Sequence, residues 1–131
     1  MAESIVRQKS YDFALQILRL CICLREQKHF EISSQLLRAG TSVGANVEEA
    51  LAGQSRKDFA AKMCVASKEA RESNYWLRLL IDAGILTGRQ AKEMIEASDE
   101  LVKMLTSILR TTYENETAKL GTQNSKLKTQ N

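Results

Sequence analysis

The side chains best suited to chemistry in this chain form a polar cluster on two neighbouring predicted helices. Acidic, basic and amide groups recur there at intervals of three and four residues, which puts them on one side of each helix. Such a cluster either locks the two helices together through hydrogen bonds and ion pairs or binds a ligand. We interpret it as an interhelix polar lock, whose members are Arg38, Ser42, Asn46, Glu49, Lys62, Glu69 and Glu72.

A turn near Gln54 would fold these two helices onto each other. An acid–base site would need Glu49 and Glu72 in one cavity beside Asn46, but the hairpin holds the two carboxylates turns apart. The lock is therefore the preferred interpretation of the cluster. The contacts that the hairpin predicts are Asn46 and Glu49 with Lys62, and Arg38 with Glu69 and Glu72.

Metal-dependent and nucleophilic catalysis both lack the residues that they require. A di-iron carboxylate site in a helix bundle needs two Glu-x-x-His pairs, and the only histidine, His29, lies in a predicted connection. Serine, threonine and cysteine are plentiful, but no histidine within a helix could act as their base. No glycine-rich phosphate loop follows a strand. We therefore expect a non-enzymatic protein with no metal and no cofactor.

The third predicted helix carries a basic stripe on the side away from its core positions. At about 100° per residue, four cations and one tyrosine fall on this side. A solvated helix face explains such a stripe, and so does contact with the phosphates of RNA or DNA, with the tyrosine stacking on a base. The candidate nucleic-acid-binding residues are Lys57, Lys68, Arg71, Tyr75 and Arg78.

Two helices carry more apolar surface than one bundle core can bury. On the first helix we expect Leu15, Leu18 and Ile22 to face the core, which leaves a second apolar set outside it. On the third helix, a valine, a tryptophan and a leucine share a flank that either forms a subunit interface or packs on the fourth helix. The candidate interface residues are Ile17, Leu20, Leu24, Val65, Trp76 and Leu79.

Apolar periodicity predicts four helices, at about residues 11–27, 32–52, 56–83 and 88–113. Their short connections favour an all-α, antiparallel up-down-up-down four-helix bundle, with residues 1–113 as a single domain. The excess apolar surface suggests that copies assemble into a ring-shaped homo-oligomer. Residues 114–131 are polar and lack apolar periodicity, so we expect a disordered tail there.

Small residues and caps refine these helices. Gly40 and Gly44 lie inside the second helix, where glycine costs about 1 kcal/mol relative to alanine. They predict a backbone pressed closely against a neighbouring helix. Ser10 and Ser55 can cap the first and third helices, and Gly84 can end the third.

The composition agrees with an all-helical protein. The 131 residues include no proline and only 5% aromatic residues, and alanine, leucine, glutamate, lysine and arginine are abundant. Three cysteines without a CxxC pair indicate thiols in a reducing cytosol, and the net charge of +3 permits an anionic partner. The apolar run at residues 13–24 is interrupted by Gln16 and Arg19 and is too short to cross a bilayer. We expect a cytoplasmic protein with no membrane contact.

Several short motifs give the chain a family resemblance over about residues 10–113. It resembles the four-helix-bundle proteins encoded by intervening sequences in bacterial 23S ribosomal RNA genes, the 23S rRNA-intervening sequence protein family. It is also similar to their relatives, the accessory variability determinants of diversity-generating retroelements. Many members have proline where this chain has Gly44, and glycine where it has Ala50. The matching motifs are Ser10-Tyr11, Phe13-Ala14, Gln35-Leu36-Leu37-Arg38, Thr41-Ser42-Val43-Gly44-Ala45-Asn46, Glu49-Ala50, Gln54-Ser55, Asp58-Phe59, Lys62, Lys68-Glu69-Ala70-Arg71-Glu72 and Tyr75-Trp76-Leu77.

The resemblance implies a four-helix protomer that assembles as a homopentameric ring. The accessory determinants bind nucleic acid and a reverse transcriptase through basic surfaces, which implies a reverse transcriptase as partner if the gene is associated with a retroelement. Residues and resemblance together predict a non-enzymatic, homo-oligomeric helical scaffold, with a pentamer favoured, that binds RNA or DNA weakly. The alternative is a protein–protein adaptor without nucleic-acid binding.

Overall fold

A computed structural model describes the backbone of residues 2–130 and the side chains of residues 2–122. Within these residues the secondary structure consists of four α-helices and no strand, as expected for a chain rich in helix formers and free of proline. The all-α prediction is confirmed. The helices are α1 (Ala2–Glu26), α2 (Phe30–Ala52), α3 (Arg56–Asp82) and α4 (Gly88–Gln130).

Each helix packs against its neighbours in chain order, and α1 also packs against α4. The directions follow from residues that meet across the helix pairs. Cys21, near the end of α1, bonds to Ser33, near the start of α2. Arg7, near the start of α1, pairs with Glu48, near the end of α2. These contacts make α1 and α2 antiparallel, as expected for helices joined by only a short turn.

The second helix approaches the first closely at its two glycines. A Cβ atom added to Gly40 would lie 2.7 Å from both Cγ atoms of Ile17, and one added to Gly44 would lie 3.2 Å from the backbone oxygen of Ser10. Side chains at either position would therefore push the helices apart. The prediction that these glycines allow close packing is confirmed.

The first helix begins earlier than predicted. It starts at Ala2, and Val6 already lies in the core with no exposed surface. Ser10 is buried in the helix interior, and its hydroxyl donates to the backbone oxygen of Arg7, so the prediction that it caps the helix is wrong. Packing of Val6 in the core stabilises the first turns of the helix, and the prediction omitted them because it counted apolar residues only from Tyr11 onward.

The buried face of α1 also differs from the prediction. Leu15, Leu18 and Ile22 were expected to face the core, but they are between 37% and 51% exposed. The stripe that packs inward instead follows Val6 and Phe13 at helical spacing. The interface assignment on this helix is therefore wrong, because three of its residues lie in the protomer core: Ile17, Leu20 and Leu24.

The helix ends are held by local signals in the sequence. The Ser55 hydroxyl accepts a hydrogen bond from the Asp58 backbone N–H at 3.0 Å, which confirms it as the cap of α3. Gly84 has a φ of +75° just after α3, a conformation that glycine adopts readily. Lys28 follows α1 with a φ of +69°, so a lysine occupies the left-handed conformation there.

The last helix continues beyond the predicted bundle. Residues 114–130 extend α4 as regular helix, whereas the polar sequence predicts a disordered tail from residue 114; residue 131 lies outside the described residues. A helix already nucleated by packing can propagate through polar residues because each further residue adds one hydrogen bond. With 43 residues at about 1.5 Å each, α4 reaches about 65 Å and extends past its shorter partners.

Candidate nucleic-acid and subunit surfaces

The outer face of α3 presents the basic stripe predicted from the sequence. We call it the α3 basic face. Its five side chains are all exposed, and Tyr75 retains 47% of its surface. They lie on the side of α3 nearer to α4, because Asn74 and Arg71 on the same side contact α4 residues. The members of this face are Lys57, Lys68, Arg71, Tyr75 and Arg78.

A hydrogen-bond network positions one of these cations. Arg78 Nε donates to Asn74 Oδ1 at 3.0 Å. Asn74 Nδ2 in turn donates to Ser98 Oγ and Asp99 Oδ1 on α4, both at 2.8 Å. The Arg78 guanidinium also lies 5.9 Å from the ring centroid of Tyr75, within the range of a cation–π contact. The cation and the aromatic ring are thus held side by side on the surface.

A groove runs along the junction of α3 and α4 beside the basic face. We call it the α3–α4 groove, and its volume is about 730 Å³. Two arginines line it, Arg71 and Arg110, together with hydroxyl groups and apolar surface. Arg71 Nη2 donates to Thr106 Oγ1 at 3.3 Å, which holds its guanidinium across the junction. The lining residues are Ser67, Arg71, Thr106, Leu109, Arg110, Tyr113, Glu114, Thr117 and Ala118.

Sequence reasoning missed the contribution of α4 to this surface. Arg110 and Tyr113 lie in the last turn of the predicted fourth helix, where only inward positions were assigned. The sequence carries no direct signal for it, because this surface depends on the register of the antiparallel helices α3 and α4, which the structure supplies. Because Asn74 meets Ser98, positions that follow Ser98 on α4 must lie beside positions that precede Asn74 on α3.

The predicted polar lock is divided into two ion-pair clusters between α2 and α3. Lys62 Nζ lies 2.7 Å from Glu49 Oε2, and this hydrogen-bonded carboxylate raises the pKa of Lys62 above its ordinary value. Arg38 pairs with Glu69 at 3.0 Å and also with Glu72. These pairs lie in largely exposed positions, where an ion pair contributes little to stability.

One predicted contact of the lock is not present. Asn46 was expected to reach Lys62, but its amide donates to Ser42 within α2, to the backbone oxygen at 2.8 Å and to Oγ at 3.0 Å. A polar side chain on a helix can form its hydrogen bonds with the residue four positions earlier, and this local bond competes with the interhelix contact. The polar groups therefore do not converge on one cavity.

Two exposed apolar surfaces remain on the protomer, one on α1 and one on α3. The first, the α1 outer stripe, is formed by Tyr11, Leu15, Leu18 and Ile22, which are between 37% and 62% exposed. The second, the α3 outer patch, is formed by Val65, Trp76 and Leu79.

The tryptophan of the α3 outer patch is half-buried against α2, not against α4. Its indole N–H donates to Glu72 at 3.3 Å, and it borders an open hollow of about 610 Å³ together with Phe30, Ile32 and Gln35. Its ring stands edge-on to Tyr75, with centroids 5.1 Å apart. The alternative that Trp76 packs on the fourth helix is therefore wrong.

Neither a metal cluster nor a membrane-spanning helix is found in the described part of the chain. No three His, Cys, Asp or Glu side chains among those residues are grouped closely enough to hold a metal ion. None of the helices, as far as the structure describes them, combines the length and the apolar character needed to cross a bilayer. The distinctive features of these residues are surfaces, apolar on α1 and α3 and basic on α3.

The fold and its surfaces define a small all-α protein built from four helices, and comparison with known proteins identifies the family. The model of the 23S rRNA-intervening sequence protein family matches residues 2–107, so the chain belongs to that family. It is similar to a solved structure of a protein with unknown function from the S23 ribosomal protein family of Bacteroides thetaiotaomicron. The two are 44% identical with a TM-score of 0.79, over 84% of this chain and 99% of the other. No curated protein matches.

Proposed function

We propose that the chain is a non-enzymatic helical scaffold that assembles as a homo-oligomer, with a pentameric ring favoured, and binds RNA or DNA through the α3 basic face. The observation that carries the assembly is the pair of apolar surfaces left uncovered on the protomer. Single exposed apolar residues are normal on a protein surface, but four large ones in a continuous stripe on one helix mark an interaction site. Its burial against another copy would remove this surface from water.

The positions of the two surfaces favour a ring over a two-fold dimer. In the cyclic order of the bundle, α1 and α3 are diagonal, and none of their described Cα atoms lie within 8 Å of each other. The α1 outer stripe and the α3 outer patch are therefore separate surfaces, and each borders α2, the stripe through Tyr11 and the patch through Trp76. Joining the stripe of one copy to the patch of the next gives a heterologous interface, which closes into a ring when the rotation between copies permits. The number five is taken from the family resemblance.

Charge substitutions in the two surfaces test the assembly. Leu18→Glu and Val65→Glu place a carboxylate in the stripe and in the patch, and each should reduce the particle mass measured by light scattering. Helical content by circular dichroism should stay unchanged, since both side chains are already exposed. Leu120→Glu is the matched control, because Leu120 is 58% exposed on the α4 extension and belongs to neither surface. A wild-type protein that is monomeric at micromolar concentration would refute the assembly.

Repetition of the basic face supports nucleic-acid binding by the assembly. One protomer offers four cations on this face and a net charge of only +3, which makes a weak site. Copies held in one assembly would present the face repeatedly, so a long strand could contact several of them at once. Binding of that kind depends strongly on salt because each phosphate contact releases counterions.

A titration at several salt concentrations tests this part of the proposal. Fluorescence anisotropy of a labelled RNA or DNA oligonucleotide should give log affinity falling linearly with log salt, with a slope of about −0.7 to −0.9 for each phosphate contact. Lys68→Gln and Arg78→Gln should each make the slope less steep. A salt-independent affinity, or no binding at low salt, would leave the alternative function, a protein–protein adaptor.

The adaptor alternative has its own readout. Affinity purification from the native host that recovers one dominant protein, with the same yield after nuclease treatment, would favour it over nucleic-acid binding. If the gene stands beside a reverse transcriptase and a template repeat, that enzyme is the first partner to test.

A further inference from the structure

The α3–α4 groove differs chemically from the rest of the basic face. The basic face is convex and polar, whereas the groove is concave and combines two guanidinium groups with the apolar surface of Leu109 and Ala118. Its volume of about 730 Å³ lies in the range of cavities that hold small organic groups, about 300 to 1,000 Å³. A flat phosphate-contacting surface does not need such a hollow.

The charges in the groove favour an anion. Arg71 and Arg110 contribute two positive charges, against one carboxylate from Glu114. Arg71 uses one N–H on Thr106, and Arg110 makes no hydrogen bond or ion pair with the described residues, so further donors on both guanidinium groups remain available. Arginine suits this role because its planar fork binds phosphate oxygens in pairs.

An aromatic ring completes the groove. Tyr113 lines it three residues after Arg110, on the same side of α4, and 53% of its surface is exposed. An exposed aromatic ring beside arginine is the arrangement on which unpaired bases stack in proteins that bind single strands. Bases within a duplex are already stacked and cannot enter a hollow of this kind without unpairing.

From these observations we infer that the α3–α4 groove binds a single-stranded nucleic acid, with a base against Tyr113 and adjacent phosphates on Arg71 and Arg110. This inference rests on the proposed nucleic-acid binding and adds a preference for single strands over duplexes. It also adds two residues of α4 to the binding surface. The basic face of α3 then guides the strand on either side of the groove, since Arg71 belongs to both surfaces.

Anisotropy titrations with two labelled probes test the inference. One probe is an unstructured single-stranded RNA, and the other is a blunt RNA duplex of the same length. The wild-type protein should bind the single strand more tightly. Tyr113→Ala should weaken single-strand binding at least about fivefold through lost stacking and leave duplex binding unchanged, while Tyr113→Phe should retain it. Arg110→Gln should reduce the salt slope for the single strand by about 0.7.

Control variants separate this inference from the proposed function. Arg19→Gln removes one exposed cation from α1, outside the groove, and should leave both affinities within about twofold. If Lys68→Gln weakens binding while Tyr113→Ala and Arg110→Gln do not, the groove is refuted and the basic face stands. Tighter binding of the duplex also refutes the groove. If neither probe binds at low salt, the groove and the proposed nucleic-acid function both fail. Circular dichroism of each variant shows whether it is folded.

Discussion

Replacement of Gly40 by alanine should destabilise this protein, although alanine is the better helix former. Helix propensity alone would add about 1 kcal/mol of stability. The new methyl carbon would lie 2.7 Å from Cγ1 and Cγ2 of Ile17, well inside the optimum of about 3.5 to 4.0 Å between carbon atoms. Both Cγ atoms belong to a fully buried, branched side chain that has little room to move.

The size of the effect follows from these two opposing terms. Overpacking a well-filled core costs about 1 to 3 kcal/mol, and a contact this short belongs at the upper end. Subtracting the propensity gain leaves a net loss of about 1 to 2 kcal/mol for Gly40→Ala. Urea unfolding followed by circular dichroism should therefore show a lower midpoint than the wild type. All variants must be compared at one protein concentration, because assembly would add concentration-dependent stability.

A matched substitution isolates the steric term. Gly121 lies within α4, and a Cβ atom added there meets nothing within 4 Å. Gly121→Ala should thus show the helix-propensity gain alone, up to about 1 kcal/mol. The difference between the two glycine variants, about 1 to 3 kcal/mol, reports the steric cost of the close approach of α1 and α2.

A double variant tests whether Ile17 is the group that clashes. Ile17→Ala removes both Cγ atoms and should cost about 2 to 5 kcal/mol by itself. In Ile17→Ala/Gly40→Ala the added methyl group enters the space that isoleucine leaves. The double variant should therefore be at least about 1 kcal/mol more stable than the sum of the single losses. A Gly40→Ala midpoint equal to or above that of the wild type would refute the close contact between the helices.

Three smaller predictions concern a thiol, a turn and a cap. Iodoacetamide should label exposed Cys23 well before Cys21, measured by mass spectrometry, because burial excludes the reagent and raises the pKa of the Cys21 thiol above its ordinary value of 9.0. Lys28→Gly should raise the urea midpoint through a gain of about 0.5 to 1 kcal/mol, since glycine tolerates the φ of +69°. Ser55→Ala should cost about 1 kcal/mol in the same assay through loss of the α3 cap.

Controls and contrary results differ among the three. In denaturant Cys21 and Cys23 should react at similar rates, and equal rates in the native state would contradict the burial of Cys21. Gln27→Gly should be destabilising because Gln27 lacks a positive φ, so a gain there equal to that of Lys28→Gly would argue against relief of backbone strain. Ser55→Asp should keep the cap, and a loss as large as that of Ser55→Ala would contradict the capping role.

The pKa of Cys21 also gives stability a pH dependence of known sign. The folded state favours the neutral thiol, so its contribution is fully present below the ordinary pKa of 9.0 and is lost as the pH rises through the raised value. Replacement of Cys21 by alanine should remove this component of the alkaline decline, measured by urea unfolding between pH 8 and about 11.

The helices themselves could be predicted from local sequence because their signals are local. Ser55 caps α3 through a bond to a residue three positions away, and Gly84 follows it with the backbone conformation that glycine favours. The core positions of α3, such as Met63 and Leu77, repeat at the helical period and are fully buried. The close packing at Gly40 was also predictable, since glycine destabilises a helix interior and two glycines there indicate a close approach of another backbone.

The face of α1 could not be predicted in the same way. Apolar residues surround much of this helix, so its periodicity fits more than one buried stripe. Contacts between residues distant in sequence decide which stripe of α1 is buried, since Ile17 fills the space that Gly40 leaves open on α2. That contact turns Leu18 outward and Leu20 inward, and it exchanges the roles that periodicity had assigned to them.

The candidate nucleic-acid-binding site was likewise predictable from sequence only in part. Sequence by itself determined the cations of the α3 basic face, because residues on one helix keep their angular positions whatever surrounds them. Only the tertiary structure decided that Arg110 and Tyr113 join Arg71 in a groove, since that requires the register of α3 against α4. Angular position is a property of one helix, whereas register depends on side chains that fit together across two helices.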